Sequence, residues 1–330
     1  MNKRSKIEQL KNIIVDRIAP LINNDYIYLD LPFYQNIGDT LIWEGTESFL
    51  SILPHKCLYK ASKDTFEFQP LSVATVIILQ GGGNFSDIWY EHQAFRCKII
   101  EQYPNNPIIV LPQTVYYESK EFLERDAACF RKHKNITICA RDARSFALLK
   151  SAGFSDKLLL VPDMAFCVST GALKKYMINK DGQSHLVLVQ TRRDKELKEK
   201  LVLERPQDFL QLDWPVYESV DDKIIQDFWM LKGQPITVIN AYAHDILKPH
   251  LIKIGVEYTS AYKYAVSTRL HGAILRILLG LDVCICDNSY GKNLAFYTTW
   301  LKGTKGVSFY NGHNISLKKL MFKRFLSWIK

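Results

Sequence analysis

The sequence predicts an α/β protein with two doubly wound domains, each built on a parallel sheet. Short apolar segments rich in β-branched residues alternate with segments long enough for crossover helices, such as residues 89–103 and 118–132. Continuous apolar strands separated by helices are typical of a parallel sheet that is covered on both faces. The chain has 330 residues, more than most single hydrophobic cores contain, which favours two domains.

The predicted strands fall into two groups along the chain. The first group is YIYLDLP, VATVIILQ, PIIVLPQ, ITICAR and LLLVPD, and the second is HLVLVQ, ITVIN, KYAVST and DVCICDN. Residues 169–184, between the groups, are polar and contain two glycines. We therefore predict an N-terminal domain over residues 1–170, a linker over 171–184 and a C-terminal domain over 185–315. Ligands of such sheets bind beyond the carboxyl ends of the strands, so we expect a site in the cleft between the domains.

Composition excludes several classes of protein. With 47% hydrophobic and 12% aromatic residues, the chain can bury large cores and is expected to be globular. No apolar run approaches the ~18–20 residues of a membrane span. The basic N-terminus has acidic residues among its apolar positions, which favours an amphipathic helix over a signal peptide. Seven cysteines without a CxxC motif argue against a zinc site or a disulfide framework, so a reducing cytoplasm is expected.

The formal net charge of +9 points to an anionic partner. Basic proteins bind nucleic acids, anionic membrane surfaces or small anions. The sequence contains no zinc finger, RNP-like aromatic signature or Lys/Arg-rich tract, and nucleic acid is therefore not expected.

Two predicted strand ends carry glycines. In NIGDTLIWEG, Gly38 allows a close backbone approach, and Asp39 either caps the following helix or has a functional role. The strand VIILQ is followed by Gly81, Gly82 and Gly83, which clear side chains from the cleft and offer backbone N–H groups to an anion or a sugar. A flexible turn is the alternative, and the spacing fits no nucleotide-binding motif.

Three other strand ends carry arginines. Arg141 begins RDARS, with Asp142 as a natural helix cap, Arg192 follows HLVLVQ, and Arg269 lies two residues before His271 in STRLHG. Each arginine alone could pair with a neighbouring carboxylate, and a lone histidine is often a core residue. Because these strand ends converge on one cleft, a shared anionic ligand is the favoured interpretation.

These segments together resemble the polysaccharide pyruvyl transferase family. The matching segments are NIGDTLIWEG, LQGGGNFSDIW, PIIVLPQT, ARDARSFALL, VPDMAF and STRLHGAILRILLGLDVCI, in the order of the family and over roughly residues 30–290. The resemblance implies a GT-B-like architecture of two Rossmann-like domains facing across a cleft. It also implies transfer of the enolpyruvyl group of phosphoenolpyruvate onto a sugar of a cell-surface glycan, which leaves a pyruvate ketal and releases phosphate.

The resemblance implies site residues at Asp39, Arg141, Arg269, Leu270 and His271. Arg269 and Arg141 would hold the donor anion, since arginine supplies bidentate donors that stay charged. His271 would act as general acid or phosphate partner, and Asp39 as base or hydroxyl positioner. No metal or redox cofactor is expected.

Further substrate-binding residues are predicted in the same segments. They are Leu270, Gly81, Gly82, Gly83, Asn84, Asn36 and Arg192.

Residues 316–330, SLKKLMFKRFLSWIK, predict a basic amphipathic C-terminal helix. Such a helix either packs its apolar stripe on the protein or rests on an anionic bilayer, and both can hold. A lipid-linked oligosaccharide acceptor in exopolysaccharide or capsule synthesis would suit a cytoplasmic enzyme that is peripheral at the inner face of the membrane.

Two other functions stay open at this point. A GT-B glycosyltransferase using a nucleotide sugar would also need arginines, for the diphosphate. A non-catalytic glycan-binding protein of the same fold is the third possibility. The sequence leaves open the acceptor sugar, the hydroxyl pair, the ketal stereochemistry and the oligomeric state.

Overall fold

The protein is described from a computed structural model over residues 1–179, 184–194, 202–204, 206–217, 221–312 and 314–315. The first part of the chain contains α1 (Lys3–Ile18), β1 (Tyr26–Leu29), α2 (Ile37–Leu50), β2 (Cys57–Ala61), β3 (Val76–Leu79), β4 (Gly82–Ser86), α3 (Tyr90–Gln102), β5 (Ile108–Tyr116), α4 (Lys120–Arg131), β6 (Ile136–Ala140), α5 (Ala143–Ala152) and β7 (Lys157–Leu160).

The second part begins with a short helix and continues into another sheet. It contains α6 (Thr170–Lys174), β8 (Ser184–Gln190), β9 (Val202–Leu203), β10 (Phe209–Leu212), α7 (Lys223–Met230), α8 (Ile236–Tyr242), α9 (Lys248–Ser260), β11 (Tyr262–Ser267), α10 (Leu270–Leu278), β12 (Val283–Cys286), α11 (Lys292–Phe296), β13 (Val307–Tyr310) and β14 (Asn314–Ile315).

The predicted parallel sheets are confirmed. The first has the strand order β2-β1-β3-β5-β6-β7, with β4 also paired to β5, and the second has the order β10-β8-β11-β12-β13. Every strand pair in both sheets is parallel. Strands β1, β3, β6 and β12 are buried along their whole length, as expected for a sheet with helices on both faces.

One predicted strand is wrong. The segment ITVIN lies in helix α8, which begins directly after Pro235. Ile239 and Tyr242, three residues apart, pack against the core, while Val238 is 44% exposed. A short run of β-branched residues fits a strand or a helix equally well, and here the tertiary packing of one face selected the helix.

Helix α2 lies between the two sheets and packs against elements of both. A Cβ at Gly45 would lie 2.0 Å from the carbonyl oxygen of Met164, which follows β7. On the other side, a Cβ at Gly255 of α9 would lie 2.5 Å from Cγ2 of Ile37. These glycines allow the backbones to approach more closely than any side chain would permit.

The core between the sheets is continuous. One cluster of buried apolar residues includes members of α1, α2, α9, α10 and β12. A salt bridge between Lys3 and Asp282 also fastens α1 to the second part of the chain. The GT-B-like arrangement and the domain limits at 170 and 185 remain predictions.

Two predicted segments lie wholly or partly outside the described residues. The predicted linker 171–184 starts within α6, whose Leu173 is buried, and residues 180–183 are not described. The predicted C-terminal helix, 316–330, lies outside the described residues altogether. Within the described ranges, no helix combines the length and the apolar character needed to cross a membrane.

Gly45→Ala should destabilise the protein. The added methyl group would meet the Met164 carbonyl at 2.0 Å, and overpacking of this kind costs about 1–3 kcal/mol of unfolding free energy. The matched control is Gly171→Ala, where the nearest neighbour of the new Cβ would lie at 3.9 Å. This substitution should leave the unfolding free energy unchanged or raise it slightly. Urea denaturation of both variants checks the difference. Equal stability of the two would show that α2 does not pack this tightly.

Candidate functional site

A cavity of about 350 Å³ opens where the carboxyl ends of the two sheets meet. We call it the inter-sheet cavity. All predicted site residues except Gly81 and Gly82 line it, namely Asn36, Asp39, Gly83, Asn84, Arg141, Arg192, Arg269, Leu270 and His271. The structure therefore brings together residues that lie up to 235 positions apart in the chain (Asn36 to His271).

Asn36, and not Asp39, caps helix α2. The Asn36 side chain accepts hydrogen bonds from the backbone N–H groups of Gly38 and Asp39. The Asp39 carboxylate lies in the first turn, where its Oδ2 accepts from Asn36 Nδ2 at 2.7 Å and from the Tyr34 hydroxyl at 3.1 Å. Burial and the Asp39 charge raise the pKa of Tyr34, which keeps its hydroxyl protonated as a donor. Two donors thus hold the Asp39 side chain at the cavity wall.

The glycine run forms a strand and not a flexible turn. Gly82 and Gly83 belong to β4, which pairs with β5. A Cβ at Gly81 would lie 2.8 Å from the Pro112 carbonyl oxygen, so this glycine serves strand packing. A Cβ at Gly83 would lie 3.1 Å from Nη2 of Arg141 and 3.6 Å from Nζ of Lys292. Because it has no side chain, Gly83 leaves space beside the Arg141 guanidinium and the Lys292 ammonium group.

Arg141 is fixed by two partners at the end of β6. Its Nε donates to Thr114 Oγ1 and its Nη1 to Asp163 Oδ2, both at 2.7 Å. For Nη2, the described residues provide no hydrogen-bond acceptor, and this nitrogen lies next to Gly83. The neighbouring Asp142 accepts from the Ser145 N–H and caps α5, as predicted.

His271 meets the Arg141–Asp163 pair from the other sheet. Its Nε2 is 3.3 Å from Asp163 Oδ2 and 3.4 Å from Arg141 Nη1. The ring packs on the first turn of α2, where a Cβ at Gly38 would lie 2.6 Å from Nδ1. Burial by itself raises the pKa of Asp163, but the His271 and Arg141 contacts outweigh burial and hold that pKa far below its usual range.

The arginines from the second sheet are paired with carboxylates. Arg269 donates through Nε and Nη2 to both oxygens of Asp213, and its guanidinium lies over the Tyr217 ring at 5.2 Å. Arg192 donates to both oxygens of Asp194 at 2.8 and 2.9 Å. The neighbouring Arg193 is exposed. Since Asp213 takes two of its nitrogens, Arg269 retains Nη1, for which the structure as described gives no acceptor.

Among the charged groups at the site that the sequence analysis did not single out are Asp163 and Asp213, which pair with cavity arginines, and Lys292, which lines the cavity. Asp163 follows β7 and Asp213 follows β10, so the strand-end rule that singled out Arg141 could have found both. Lys292, at the start of α11, carried no such signal. In the described parts of the chain, no group of three or more His, Cys, Asp and Glu side chains is placed to hold a metal ion.

Asp163→Asn should lower the unfolding free energy by about 3–5 kcal/mol near neutral pH, because it leaves buried Arg141 without its counter-charge. The pKa of Asp163 is depressed in the folded protein. Its contribution is therefore complete above the pKa of an unfolded carboxyl, about 3.9, and is lost as the pH falls from there toward the folded pKa. The difference from wild type should shrink on acidification below about pH 4.

Urea unfolding at neutral and at acidic pH measures this difference. Glu124→Gln, which removes an exposed ion pair with Lys120, is the control and should cost about 0.5 kcal/mol or less. A difference for Asp163→Asn that grows on acidification would contradict the buried ion pair.

Comparisons with known proteins bear on the fold and on the family. A crystal structure of an uncharacterized protein from Klebsiella pneumoniae superposes with a TM-score of 0.57 at 20% identity, covering 92% of this chain and 98% of that one, and shares the fold. Mixed α/β architecture with parallel sheets is thereby confirmed.

Two curated relatives cover most of the chain. EpsO of Bacillus subtilis, named as a pyruvyl transferase, is 32% identical over 288 residues, or 85% of this chain and 86% of that protein. Pyruvyl transferase 1 of Schizosaccharomyces pombe is 26% identical over 288 residues, or 83% of this chain and 69% of that protein. The sequence model of polysaccharide pyruvyl transferases matches residues 36–290, which span every predicted site residue. The resemblance seen in the motifs is confirmed, and the chain belongs to the polysaccharide pyruvyl transferase family.

Proposed function

We propose that this protein transfers the enolpyruvyl group of phosphoenolpyruvate onto two hydroxyls of a sugar in a cell-surface polysaccharide or its lipid-linked precursor. The products are a pyruvate ketal and phosphate. Family membership supports a pyruvyl transfer role on a polysaccharide. The single observation that carries the finer proposal is the inter-sheet cavity, in which oriented guanidinium groups face a histidine and a carboxylate.

The donor would be held by the arginines. Phosphoenolpyruvate carries a phosphate and a carboxylate, and each is matched by planar N–H donors. Asp163 accepts from the Arg141 guanidinium and Asp213 from the Arg269 guanidinium. These contacts fix the orientation of both groups. The remaining N–H groups, Nη2 of Arg141 and Nη1 of Arg269, are the donors that we assign to the anion. Lys292 adds a further cation beside Gly83.

Proton transfer would involve His271 and Asp39. Ketal formation needs a proton on the methylene carbon of the donor, which generates a cationic centre at C2. His271 lies against Asp163 and Arg141, and we assign it proton delivery to that carbon or contact with the donor phosphate. Asp39, held by Asn36 and Tyr34, would accept a proton from a sugar hydroxyl.

The acceptor sugar would lie against aromatic side chains of the cavity. Trp89, Trp214, Tyr217 and Trp229 line it, and Trp229 is 55% exposed. Aromatic faces provide apolar area with a fixed geometry, which suits the C–H face of a pyranose ring.

The direct test is to incubate the purified full chain with phosphoenolpyruvate and a panel of p-nitrophenyl hexosides and N-acetylhexosaminides, and to follow phosphate release. We expect acceptor-dependent phosphate release and a sugar product that carries the pyruvate ketal. A parallel set with nucleotide sugars in place of phosphoenolpyruvate should release no nucleotide. Nucleotide release would instead favour a glycosyltransferase, and binding of glycans without any turnover a non-catalytic protein.

His271→Ala should lower kcat by about 10²- to 10⁴-fold, the usual contribution of one general acid or base. Phosphoenolpyruvate affinity, measured by calorimetry, should fall much less because the arginines remain. His271→Gln keeps a hydrogen-bond donor but supplies no proton, so it separates the two roles. Recovery of most of the rate with Gln would assign His271 to anion contact, and a fully active Ala variant would remove it from the site.

A further inference from the structure

We propose that His92, oriented by the buried carboxylate of Asp30, is a second proton acceptor for the hydroxyls of the sugar. This inference rests on the proposed function and deepens it. His92 lines the inter-sheet cavity and belongs to the first turn of α3. It is not part of the Arg141–Asp163–His271 cluster.

Asp30 holds the imidazole in one orientation. The Asp30 side chain is fully buried, and its Oδ1 lies 2.7 Å from Nδ1 of His92. Its other oxygen accepts from Nη2 of Arg96 at 3.1 Å. Arg96 is itself fully buried and donates to Gln93 Oε1 at 2.6 Å and to Asn84. The carboxylate is therefore paired from both sides.

The backbone at Asp30 supports a dedicated role. Its φ is +64°, and among the described residues it is the one non-glycine residue with positive φ. A side chain in the left-handed region is disfavoured, and such conformations persist where the surrounding structure enforces them, often at functional sites. Here the residue with this conformation carries the carboxylate that contacts Nδ1 of His92.

The pairing leaves the other ring nitrogen of His92 as a base. A carboxylate only accepts hydrogen bonds, so the hydrogen of this contact lies on Nδ1 of His92, and in the neutral form of the ring the lone pair lies on Nε2. The structure gives Nε2 no hydrogen-bond partner within the described ranges, although His92 is only 8% exposed. A histidine that is anchored through one nitrogen and open to a cavity through the other has the arrangement of a general base.

The reaction removes a proton from each of two hydroxyls. In the first addition, one hydroxyl oxygen forms a bond to C2 of the donor, the C=C π electrons take a proton at C3, and the hydroxyl gives up its own proton. In the second step, the C2–O bond to phosphate breaks with its electron pair leaving on phosphate. The other hydroxyl oxygen then bonds to C2, its proton passes to a protein base, and that base gives the proton to the released phosphate. Two O–H bonds at different oxygens are broken, so a separate acceptor beside each hydroxyl lets the diol keep one position through both steps.

Asp39 and His92 both contact one residue, Tyr34. The Tyr34 hydroxyl donates to Asp39 at 3.1 Å, and its ring meets the His92 ring edge-on, with 6.4 Å between centroids. A sugar diol placed over Tyr34 would present one hydroxyl to each group. Asp39 and His92 thus divide the two deprotonations, and Asp30 is the positioning residue for His92.

The test is chemical rescue of His92→Ala in the full chain, with phosphate release from phosphoenolpyruvate and the p-nitrophenyl glycoside panel as the readout. The variant should be slower by about 10²- to 10⁴-fold in kcat, with phosphoenolpyruvate affinity unchanged within about twofold because the cationic groups remain. Added imidazole should restore the rate by about tenfold or more, and more basic imidazoles should restore it further. A structural histidine gives no such dependence on basicity.

Asp30→Asn tests the positioning role. Asparagine tolerates positive φ, and its amide favours the opposite tautomer of His92. The change also removes the counter-charge of buried Arg96, so the variant should be less stable, and kcat is compared under conditions in which urea unfolding shows that it is folded. We expect a fall in kcat of about 10²-fold or more with little change in KM for the donor. The matched control is His250→Gln, which removes a histidine paired with Asp222 at the same 2.7 Å distance but outside the cavity, and it should stay within about twofold of wild type.

The pH profile gives an independent readout. The charged and titratable groups around His92 are Asp30, Arg96 and Tyr34, with Asp39, Lys63 and Asp64 lining the same cavity. The acid limb of kcat/KM for the acceptor should change in His92→Ala and follow the added imidazole during rescue. An active His92→Ala enzyme, or rescue that does not depend on basicity, overturns the inference and leaves pyruvyl transfer intact. Absence of phosphate release in wild type overturns both.

Discussion

The contact of His271 with Asp163 and Arg141 is the interaction on which the site depends. Asp163 and Arg141 follow strands of the first sheet, whereas His271 lies in the first turn of α10, which follows β11 of the second sheet. A sliding of one sheet past the other would leave Arg141 and Asp163 paired and remove His271 from them. Buried charged groups are costly without their partners. The contact among these three residues therefore forms only when the two sheets hold their present relative position.

Helix α2 sets that relative position by close packing. The His271 ring packs on Gly38, and the Met164 carbonyl packs on Gly45. Ile37 packs on Gly255 of α9. Backbone contacts of this kind have little freedom to adjust, since cores are packed like crystals. Asp39 lies on the same helix, and so the packing that joins the sheets also places a carboxylate at the cavity.

The paired arginines reconcile stability with anion binding. A buried guanidinium without a counter-charge is costly, and Asp163, Asp194 and Asp213 supply that charge. Each carboxylate engages only part of the five-donor guanidinium. The pairing holds the group in place before any ligand arrives, which limits the ordering that binding must impose.

The sequence by itself determined the parallel α/β class and most of the strands, because the period of apolar residues is a local signal. The ordered motifs identified the family. The motifs and the positions at strand ends together predicted Asp39, Arg141, Arg269 and His271 as neighbours. The sequence did not determine that ITVIN is a helix, since a short β-branched run fits either state until one face finds a core. Only the tertiary structure decided that Asn36 caps α2, that Gly81 serves packing, and which carboxylate pairs with each of Arg141, Arg192 and Arg269. The same holds for the Asp30–His92 pair, whose members lie 62 positions apart. Such partners come from distant segments, and only the packing of the two sheets brings their charges and rings within hydrogen-bond distance.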